Sequence, residues 1–249
     1  MTRVRAFALH LLISIGVALL LVIPLLTLWY PGPHLELTGA GPIVLVVLAV
    51  HMIVGPALTL IVFRPGKRGL RVDLVAIATI QMAAFIYGAG SVYSQRPLYL
   101  TFEIDRFRVI SAKHLDAPAP ADSVRFAPWA RGPDLAALDV PPDPEARRRL
   151  LTETMFAGLE PSFRPSLYRA YPPDNLAAMG SRALDVAAIE ALNPDHAERL
   201  STFARQIDRR IADLWLFPVV GDADDAVAAI APKTGALLGL LPIDPFPTG

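Results

Sequence analysis

The stretch HMIVGPALTLIVFRPGKRGLR, residues 51 to 71, places a histidine and a Gly-Pro pair inside an apolar run that ends in four cationic side chains. The cations are Arg64, Lys67, Arg68 and Arg71. An apolar run that stops at a cluster of Lys and Arg is typical of a helix that crosses a bilayer and ends at its cytoplasmic face. The stretch therefore indicates that part of this chain is embedded in a membrane.

The composition divides the chain into two parts. Of its 249 residues, 53% are hydrophobic and only 18% are charged, which is too apolar for an ordinary soluble domain. Residues 1 to 94 carry six Lys/Arg and two Asp/Glu, whereas residues 95 to 249 carry 17 and 21. The sequence therefore predicts a transmembrane domain over residues 1–94 and a polar α+β domain over residues 95–249.

Three runs without a charged residue lie in the first part. They cover residues 6–29, 43–63 and 74–92 and contain 24, 21 and 19 residues. A bilayer core of roughly 30 Å needs about 20 apolar residues in a helix, so each run is long enough to cross it. The first run is too long for the apolar region of a signal peptide, and no small-x-small cleavage site follows it. We expect three transmembrane α-helices followed by an α+β extracytoplasmic domain.

The loops between the runs predict the orientation of the helices. Arg3 and Arg5 precede the first span, the first loop has no Lys or Arg, and the second loop, residues 64–71, carries the four cations. The positive-inside rule then places the N-terminus and the second loop in the cytoplasm. The C-terminal domain is expected on the opposite side of the membrane.

The second span has polar and helix-breaking residues on one face. His51, Gly55 and Thr59 follow one another at four-residue steps, which places them on the same face of a helix. Pro56 lacks an amide donor, so it weakens a helix that has no water to replace the lost bond. His10, near the cytoplasmic end of the first span, is expected to snorkel towards the interface.

The third span has a matching face of small and polar residues. Gln81, Ala84 and Gly88 follow the same three- and four-residue spacing, and Tyr87 adjoins Gly88. Small residues let helices approach closely in membranes, and a glutamine side chain can form a hydrogen bond between helices. Two interpretations remain open, namely packing of the three spans on each other or reception of a helix from another protein.

Several functional classes are not supported by the sequence. The 23 basic and 23 acidic residues give no argument for nucleic acid, and the absence of cysteine excludes disulfides and thiolate metal sites. The chain has no H-E-x-x-H, P-loop or G-x-S-x-G motif, and GDADD at 221–225 lacks the later ligands of an EF-hand. His34, His114 and His196 are expected at the surface. We therefore predict no enzyme, no metal and no cofactor.

The polar part shows a pattern of strands and helices. Apolar alternation over residues 97–109 predicts a hairpin, and a Pro- and Ala-rich stretch over 116–134, with Trp129, predicts an extended connector. Asp143-Pro144-Glu145 predicts a helix to about Phe156. An amphipathic helix is predicted from Asn193 through Leu214, and three short strands follow it.

The first 110 residues resemble a known family. The matching stretches are WYPGP at 29–33, GPALTLIVF at 55–63, RPGKRGLR at 64–71, DLVAIATIQMAAFIYG at 73–88 and RPLYLTFEIDRF at 96–107. In these stretches the chain resembles the type IV pilin accessory proteins known as TfpX/TfpZ, which are pilin-specific assembly chaperones of the bacterial inner membrane. In that family an acidic residue often precedes the Gly-Pro, whereas this chain has His51.

The resemblance implies a pilin subunit, besides membrane lipids, as the partner. Pilins have a long apolar N-terminal helix in the bilayer and a globular head outside it. The resemblance therefore implies that spans two and three hold the pilin helix while the outer, periplasmic domain contacts the head. The candidate contacts for the helix are His51, Gly55, Pro56, Thr59, Gln81, Tyr87 and Gly88. The candidates for the juncture with the outer domain are Arg96, Phe102 and Phe107.

Two other classes of protein remain compatible with the sequence. One is a membrane-anchored sensor or enzyme whose outer domain binds a small ligand. The other is a structural subunit of a larger envelope complex.

Overall fold

The chain forms two compact units. A computed structural model describes residues 2–115, 131–141, 143–158, 160–192 and 194–246. The first unit comprises Met1–Pro31 and Ala40–Arg96, and the second comprises Gly32–Gly39 and Pro97–Gly249. Of the predicted connector over residues 116–134, residues 116–130 with Trp129 lie outside the described residues.

The first unit contains three helices that are long and apolar enough to cross a membrane. They are α1 (Arg3–Trp29), α2 (Gly41–Val62) and α3 (Leu70–Ser94). Each contains one of the three predicted runs to within one residue. Thr2 caps α1 through its side chain, which accepts a hydrogen bond from the amide of Arg5. The predicted order of three apolar helices followed by a sheet-containing domain is confirmed.

The Gly-Pro pair of α2 changes the helix without ending it. Residues Val50–Val54 form a π-helical turn, and the amide of Gly55 donates to the carbonyl of Val50, five residues back. Pro56 cannot donate a backbone hydrogen bond, so the helix accommodates it by one widened turn. A similar π turn over Leu25–Trp29 follows Pro24 in α1. The weakening of the second span that Pro56 predicts therefore takes the form of a local bulge in a continuous helix.

The second unit is built on a seven-stranded mixed sheet. Its strands are β1 (Pro97–Phe102), β2 (Phe107–Ser111), β3 (Asp134–Leu138), β4 (Tyr168–Ala170), β5 (Trp215–Val220), β6 (Asp225–Ile230) and β7 (Leu237–Leu241). Their order in the sheet is β4-β3-β1-β2-β5-β6-β7. The predicted hairpin is present as the antiparallel pair β1–β2, and the three predicted C-terminal strands form the antiparallel ladder β5–β6–β7.

Two parallel pairings join the parts of the sheet. Strand β1 lies parallel to β3, and β2 lies parallel to β5. Strands β3 and β4 were not predicted, and they extend the sheet beyond the hairpin. The hairpin is consequently central in the sheet and is paired on both sides.

Four helices complete the second unit as described. They are α4 (Pro144–Ala157), α5 (Leu176–Gly180), α6 (Val186–Leu192) and α7 (Pro194–Gln206). The prediction for α4 is confirmed, and the Asp143 side chain caps it by accepting from the amide of Ala146 at 2.8 Å. The prediction that α7 continues to Leu214 is wrong. The chain turns at Asp208, whose φ is 52°, and Ile211–Asp213 forms a separate 3-10 turn.

Both faces of the sheet are buried. Phe217 and Val219 of β5 lie in one apolar cluster, while Leu216, the residue before Phe217, lies in the other. This alternation follows from the two-residue period of a strand. Ile207, Ile211 and Leu214 still pack against the second cluster, although the chain there is not one helix.

The segment Gly32–Gly39 belongs to the sheet unit. A helical turn at His34–Leu37 places the Leu37 side chain, which is 1% exposed, in the first apolar cluster. The Leu37 carbonyl accepts hydrogen bonds from the amides of Asp222 at 2.7 Å and Ala223 at 3.1 Å. The link between the first two apolar helices is therefore a structural part of the C-terminal unit.

Candidate partner-binding site

A hydrogen bond between α2 and α3 compensates for the Gly-Pro pair. The Gln81 side-chain amide donates through Nε2 to the His51 carbonyl oxygen at 3.2 Å. In a regular α-helix the His51 carbonyl would accept a hydrogen bond from the amide of Gly55. Here the Gly55 amide donates to the Val50 carbonyl instead. In the π turn the His51 carbonyl would accept from position 56, where proline has no N–H. Gln81 therefore supplies the donor that the backbone of α2 lacks.

Gly55 makes room for the Gln81 side chain. A Cβ atom at Gly55 would lie 1.7 Å from Gln81 Nε2. Gly88, two turns beyond Gln81 on the same face of α3, lies against Val47, and a Cβ atom at Gly88 would lie 2.2 Å from Val47 Cγ2. Both glycines thus allow α2 and α3 to approach closely, as small residues do between apolar helices.

Two histidines occupy positions between the helices. His10 Nδ1 of α1 lies 2.6 Å from Thr59 Oγ1 of α2, so this side chain joins two helices instead of snorkelling as predicted. The His51 ring packs against Phe85 of α3, with 5.2 Å between ring centroids. His51 and Thr59 are buried, at 7% and 3% exposure. The polar face predicted for α2 is therefore turned towards the other two helices.

An open groove is lined by residues of α2 and α3. It has a volume of about 220 Å³. The residues lining it are Ile43, Val46, Val47, Val50, His51, Gln81, Ala84, Phe85, Tyr87, Gly88 and Ser91. Tyr87 and Val46 are 82% and 62% exposed. The groove combines an apolar rim with the polar side chains of His51 and Gln81 at its base.

The predicted partner residues thus occupy two kinds of position. Tyr87 is exposed at the groove, and His51, Gln81 and Gly88 line it while they are buried in the bundle. Gly55, Pro56 and Thr59 are also buried, as residues of α2 that do not line the groove.

Arg96 lies in an aromatic cluster at the end of α3. Its guanidinium carbon lies 3.6 Å from the centroid of the Tyr93 ring, and Nη1 donates to the Tyr93 carbonyl at 2.9 Å. The Trp29 and Tyr93 rings meet in a T-shaped arrangement with 5.0 Å between centroids, and the Tyr30 hydroxyl donates to the Val92 carbonyl at 2.6 Å. These contacts join the C-terminal ends of α1 and α3.

Phe102 and Phe107 lie in the core of the sheet unit. They are directly opposite in the β1–β2 hairpin, with 5.1 Å between ring centroids. Phe217 packs edge-on against Phe102 at 5.4 Å. Phe102 is 4% exposed and Phe107 is fully buried, so any effect of either residue on a partner would be transmitted through the core.

The sheet unit also contains a polar cluster that the sequence did not indicate. His114 Nε2 lies 3.1 Å from Asp222 Oδ2, Lys113 Nζ lies 2.7 Å from the same oxygen, and the His114 ring stacks on Phe163. The expectation that His34, His114 and His196 lie at the surface is wrong. His34 and His196 are each 6% exposed, and only 14% of the His114 side chain is exposed. Among the described residues, no group of three or more His, Asp or Glu side chains is placed to hold a metal ion.

Comparisons with known proteins identify relatives of the chain. A family model described as the fimbrial assembly protein FimB matches residues 1–39. A fimbrial assembly protein of serogroup I from Dichelobacter nodosus is 28% identical over 243 residues, which is 95% of this chain and 93% of that protein. A fimbrial assembly protein of serogroups C1 and C2 from the same organism is 36% identical over 104 residues, which is 41% of this chain and 79% of that protein. No solved structure matches the chain.

The chain therefore belongs to the fimbrial assembly protein family and has a role in pilus assembly. The resemblance to type IV pilus accessory proteins found in the sequence is confirmed.

Proposed function

We propose that this protein is an inner-membrane accessory protein that binds type IV pilin subunits as a chaperone and controls their supply to pilus assembly. The observation that carries the proposal is an open groove between two apolar helices in a member of a fimbrial assembly family. A pilin subunit presents a long apolar helix, and such a groove suits a helix as its ligand.

The apolar surface of the first unit supports a location in the bilayer. In the most apolar windows of α1, α2 and α3, only 22%, 33% and 17% of the residues are buried. Side chains such as Leu20, Ile61 and Ile80 are 68% to 76% exposed. Contiguous apolar surface of this extent is unfavourable in water and favourable in lipid. This surface supports the proposed location of the three helices in the inner membrane.

The chain segments that form the sheet unit support the proposed orientation. The segment Gly32–Gly39 and the chain from Pro97 onwards belong to one packed unit, so both lie on the same side of the membrane. Helices α2 and α3 between them provide the two crossings that this requires. The cationic loop between α2 and α3 then lies on the opposite, cytoplasmic side together with the N-terminus. The sheet unit is periplasmic.

The groove provides the contact surface for the pilin helix. Tyr87 and Val46 lie at its rim, where Tyr87 can contact a neighbouring helix with its ring. Ala84 permits close approach of a helix backbone, and His51 and Gln81 offer polar groups at the base. Gly88 shapes the groove by letting Val47 of α2 pack against α3. Gly55, Pro56 and Thr59 act indirectly, because they hold α2 in the position that shapes the groove.

The three juncture candidates, Arg96, Phe102 and Phe107, affect pilin binding indirectly. Each of them stabilises the unit to which it belongs. Arg96 holds the ends of α1 and α3 together through its aromatic neighbours. Phe102 and Phe107 maintain the β1–β2 hairpin from within the core. We expect substitutions at these positions to alter pilin binding through the shape of each unit, with the sheet unit receiving the pilin head.

Site-specific photocrosslinking in cells that produce pili tests the proposal. A photoreactive residue at Tyr87 or Val46 should crosslink to the N-terminal helix of a pilin. Ile86 and Leu45 are matched controls, because they lie at the same depth, are 64% and 68% exposed, and do not line the groove. Gly55 and Gly88 are unsuitable positions, since even a Cβ atom there overlaps a neighbour. Equal crosslinking from groove and control positions, or none to pilin, would disprove the assignment.

A further inference from the structure

Helix α4 presents an apolar face that none of the described residues of its unit covers. Leu151, Met155 and Phe156 are 55%, 78% and 85% exposed. Leu151 and Met155 are four residues apart, so they lie one above the other on one face, and Phe156 adjoins them. Side chains of this size are usually buried in a polar domain, and a cluster of them on one helix marks an interaction surface.

The helix contacts the rest of the sheet unit through Leu150 and Glu153 and has defined ends. Leu150, on the opposite side of α4, is 7% exposed, and Glu153 forms an ion pair with Arg164. Asp143 caps the N-terminus, and Gly158 ends the helix with a φ of 66°. The exposed face of α4 therefore belongs to a helix with defined ends.

Three consecutive arginines accompany the apolar face. Arg147, Arg148 and Arg149 are exposed, and none of them forms an ion pair with a carboxylate within the described part of the chain. Consecutive residues of a helix point in directions about 100° apart, so these cations cannot converge on one small anion. They can each meet a different phosphate in a surface that carries many of them.

We propose that this face of α4 lies on an anionic lipid surface, with the arginines at the phosphates and Leu151, Met155 and Phe156 among the upper acyl chains. A helix with exposed apolar residues and basic neighbours is the type that binds in the plane of a membrane interface. Each arginine near anionic headgroups adds to the electrostatic attraction between the helix and the surface. The proposal rests on the proposed location of α1, α2 and α3 in a bilayer. A chain anchored in this way is always attached to a lipid surface.

A fluorescent probe in the full-length protein tests this placement. The chain has no cysteine, so Met155→Cys creates a single labelling site for an environment-sensitive dye. The labelled protein is reconstituted into vesicles of phosphatidylcholine alone and of phosphatidylcholine with phosphatidylglycerol, with brominated acyl chains as quenchers. We expect a blue-shifted emission and strong bromolipid quenching in the anionic vesicles, and loss of both at high salt. Gln206→Cys, an exposed position at the end of α7, is the control site and should show neither change.

Two variants test whether membrane binding depends on the positive charge of the arginines or only on insertion of the apolar side chains. Replacement of Arg147, Arg148 and Arg149 together by Gln should abolish the quenching at position 155, whereas replacement by Lys should retain it. Circular dichroism checks that each variant is folded. Equal signals in the two lipid mixtures, quenching that survives the Gln replacement, or the same response at position 206 would overturn the proposal. None of these measurements requires pilin, so failure here is distinguishable from failure of the groove to crosslink to pilin.

Discussion

The Gln81 side chain of α3 donates a hydrogen bond to the backbone carbonyl of His51 in α2 across 3.2 Å. This bond satisfies a carbonyl that α2 cannot pair, because Pro56 lacks an N–H and the Gly55 amide is used by Val50. In an apolar surrounding an unpaired carbonyl costs several kcal/mol by the usual order-of-magnitude estimates. Gln81 on α3 therefore compensates for the missing N–H of Pro56 on α2.

Removal of the Gln81 donor should destabilise the three-helix unit. Gln81→Met retains the length of the side chain but leaves the His51 carbonyl unpaired, and we expect a loss of about 1 to 2 kcal/mol in the free energy of unfolding. The measurement is unfolding of the purified protein in detergent micelles, followed by circular dichroism. Met82→Leu, on an exposed position of the same helix, should leave the stability unchanged. Equal stability of Gln81→Met and the wild type would show that the bond contributes nothing.

Gly88 should not tolerate a methyl group. In Gly88→Ala the new Cβ would overlap the stiff Val47 side chain, so we expect a loss of about 1 to 3 kcal/mol. Val47→Ala in the same protein should recover part of this loss by removing the overlapping atoms. Gly90→Ala is the control, because nothing lies within 4 Å of that Cβ, and its better helix propensity should add roughly 0.5 to 1 kcal/mol. A destabilised Gly90→Ala would contradict this explanation.

Leu37 should be as important to the sheet unit as a residue of the sheet. Its side chain is 1% exposed in the cluster with Phe107 and Phe217, so Leu37→Ala should cost about 2 to 5 kcal/mol. Hydrogen exchange of the amides in β5 and β6 measures the effect directly on the sheet. Leu35→Ala, on the same helical turn but only half-buried, should have a much smaller effect. Equal exchange rates in both variants would show that the turn adds little to the core.

His114 should make the stability of the sheet unit fall in mild acid. Burial lowers the pKa of His114 below its usual 6.5, although the charge of Asp222 acts in the opposite direction and those of Lys113 and Arg108 assist the decrease. Between the lowered value and 6.5 the unfolded chain binds a proton that the folded chain does not. The contribution is therefore complete above about pH 6.5 and is lost as the pH falls towards the lowered pKa.

The pH dependence can be measured by unfolding between pH 7.5 and 5.5, a window chosen about the usual pKa of histidine. His114→Gln should flatten the profile in this window, because the side chain no longer titrates. A slope that His114→Gln leaves unchanged would assign the effect to another group.

The proposed orientation predicts which loops a membrane-impermeant reagent reaches. Single cysteines at Glu36, in the first loop, and at Gln206, in the sheet unit, should both react in intact spheroplasts. A cysteine at Pro65, in the cationic loop, should react only after permeabilisation. Reaction of positions 36 and 65 from the same side would contradict the crossing of α2.

The sequence predicted the features that depend on local patterns. Long uncharged runs identified the three apolar helices, and Asp143 before Pro144 identified the start of α4. The end of α7 was misplaced because Ile207, Ile211 and Leu214 keep a helical spacing while the backbone turns between them. Their shared burial comes from the tertiary fold, which a periodicity cannot distinguish from a longer helix.

The sequence did not reveal the contacts between distant segments. Strand β3 is short and exists through its pairing with β1, and nothing in its own residues requires it. His114 meets Asp222 only because the sheet brings their segments together. For the candidate site, spacing indicated the faces of α2 and α3, but not that Gln81 compensates for Pro56. The apolar Leu37 in a polar loop was the one available signal of a buried loop.

The placement of Gly32–Gly39 in the sheet unit constrains the order in which the molecule can be completed during synthesis. This segment leaves the ribosome before α2 and α3, yet the amides that pair with the Leu37 carbonyl belong to Asp222 and Ala223, near the end of the chain. Contacts so far apart in sequence form slowly. The Leu37 side chain therefore cannot be buried against its apolar neighbours until α2, α3 and most of the sheet have been synthesised. A fragment that starts at Pro97 would lack this residue and is expected to fold with an incomplete core.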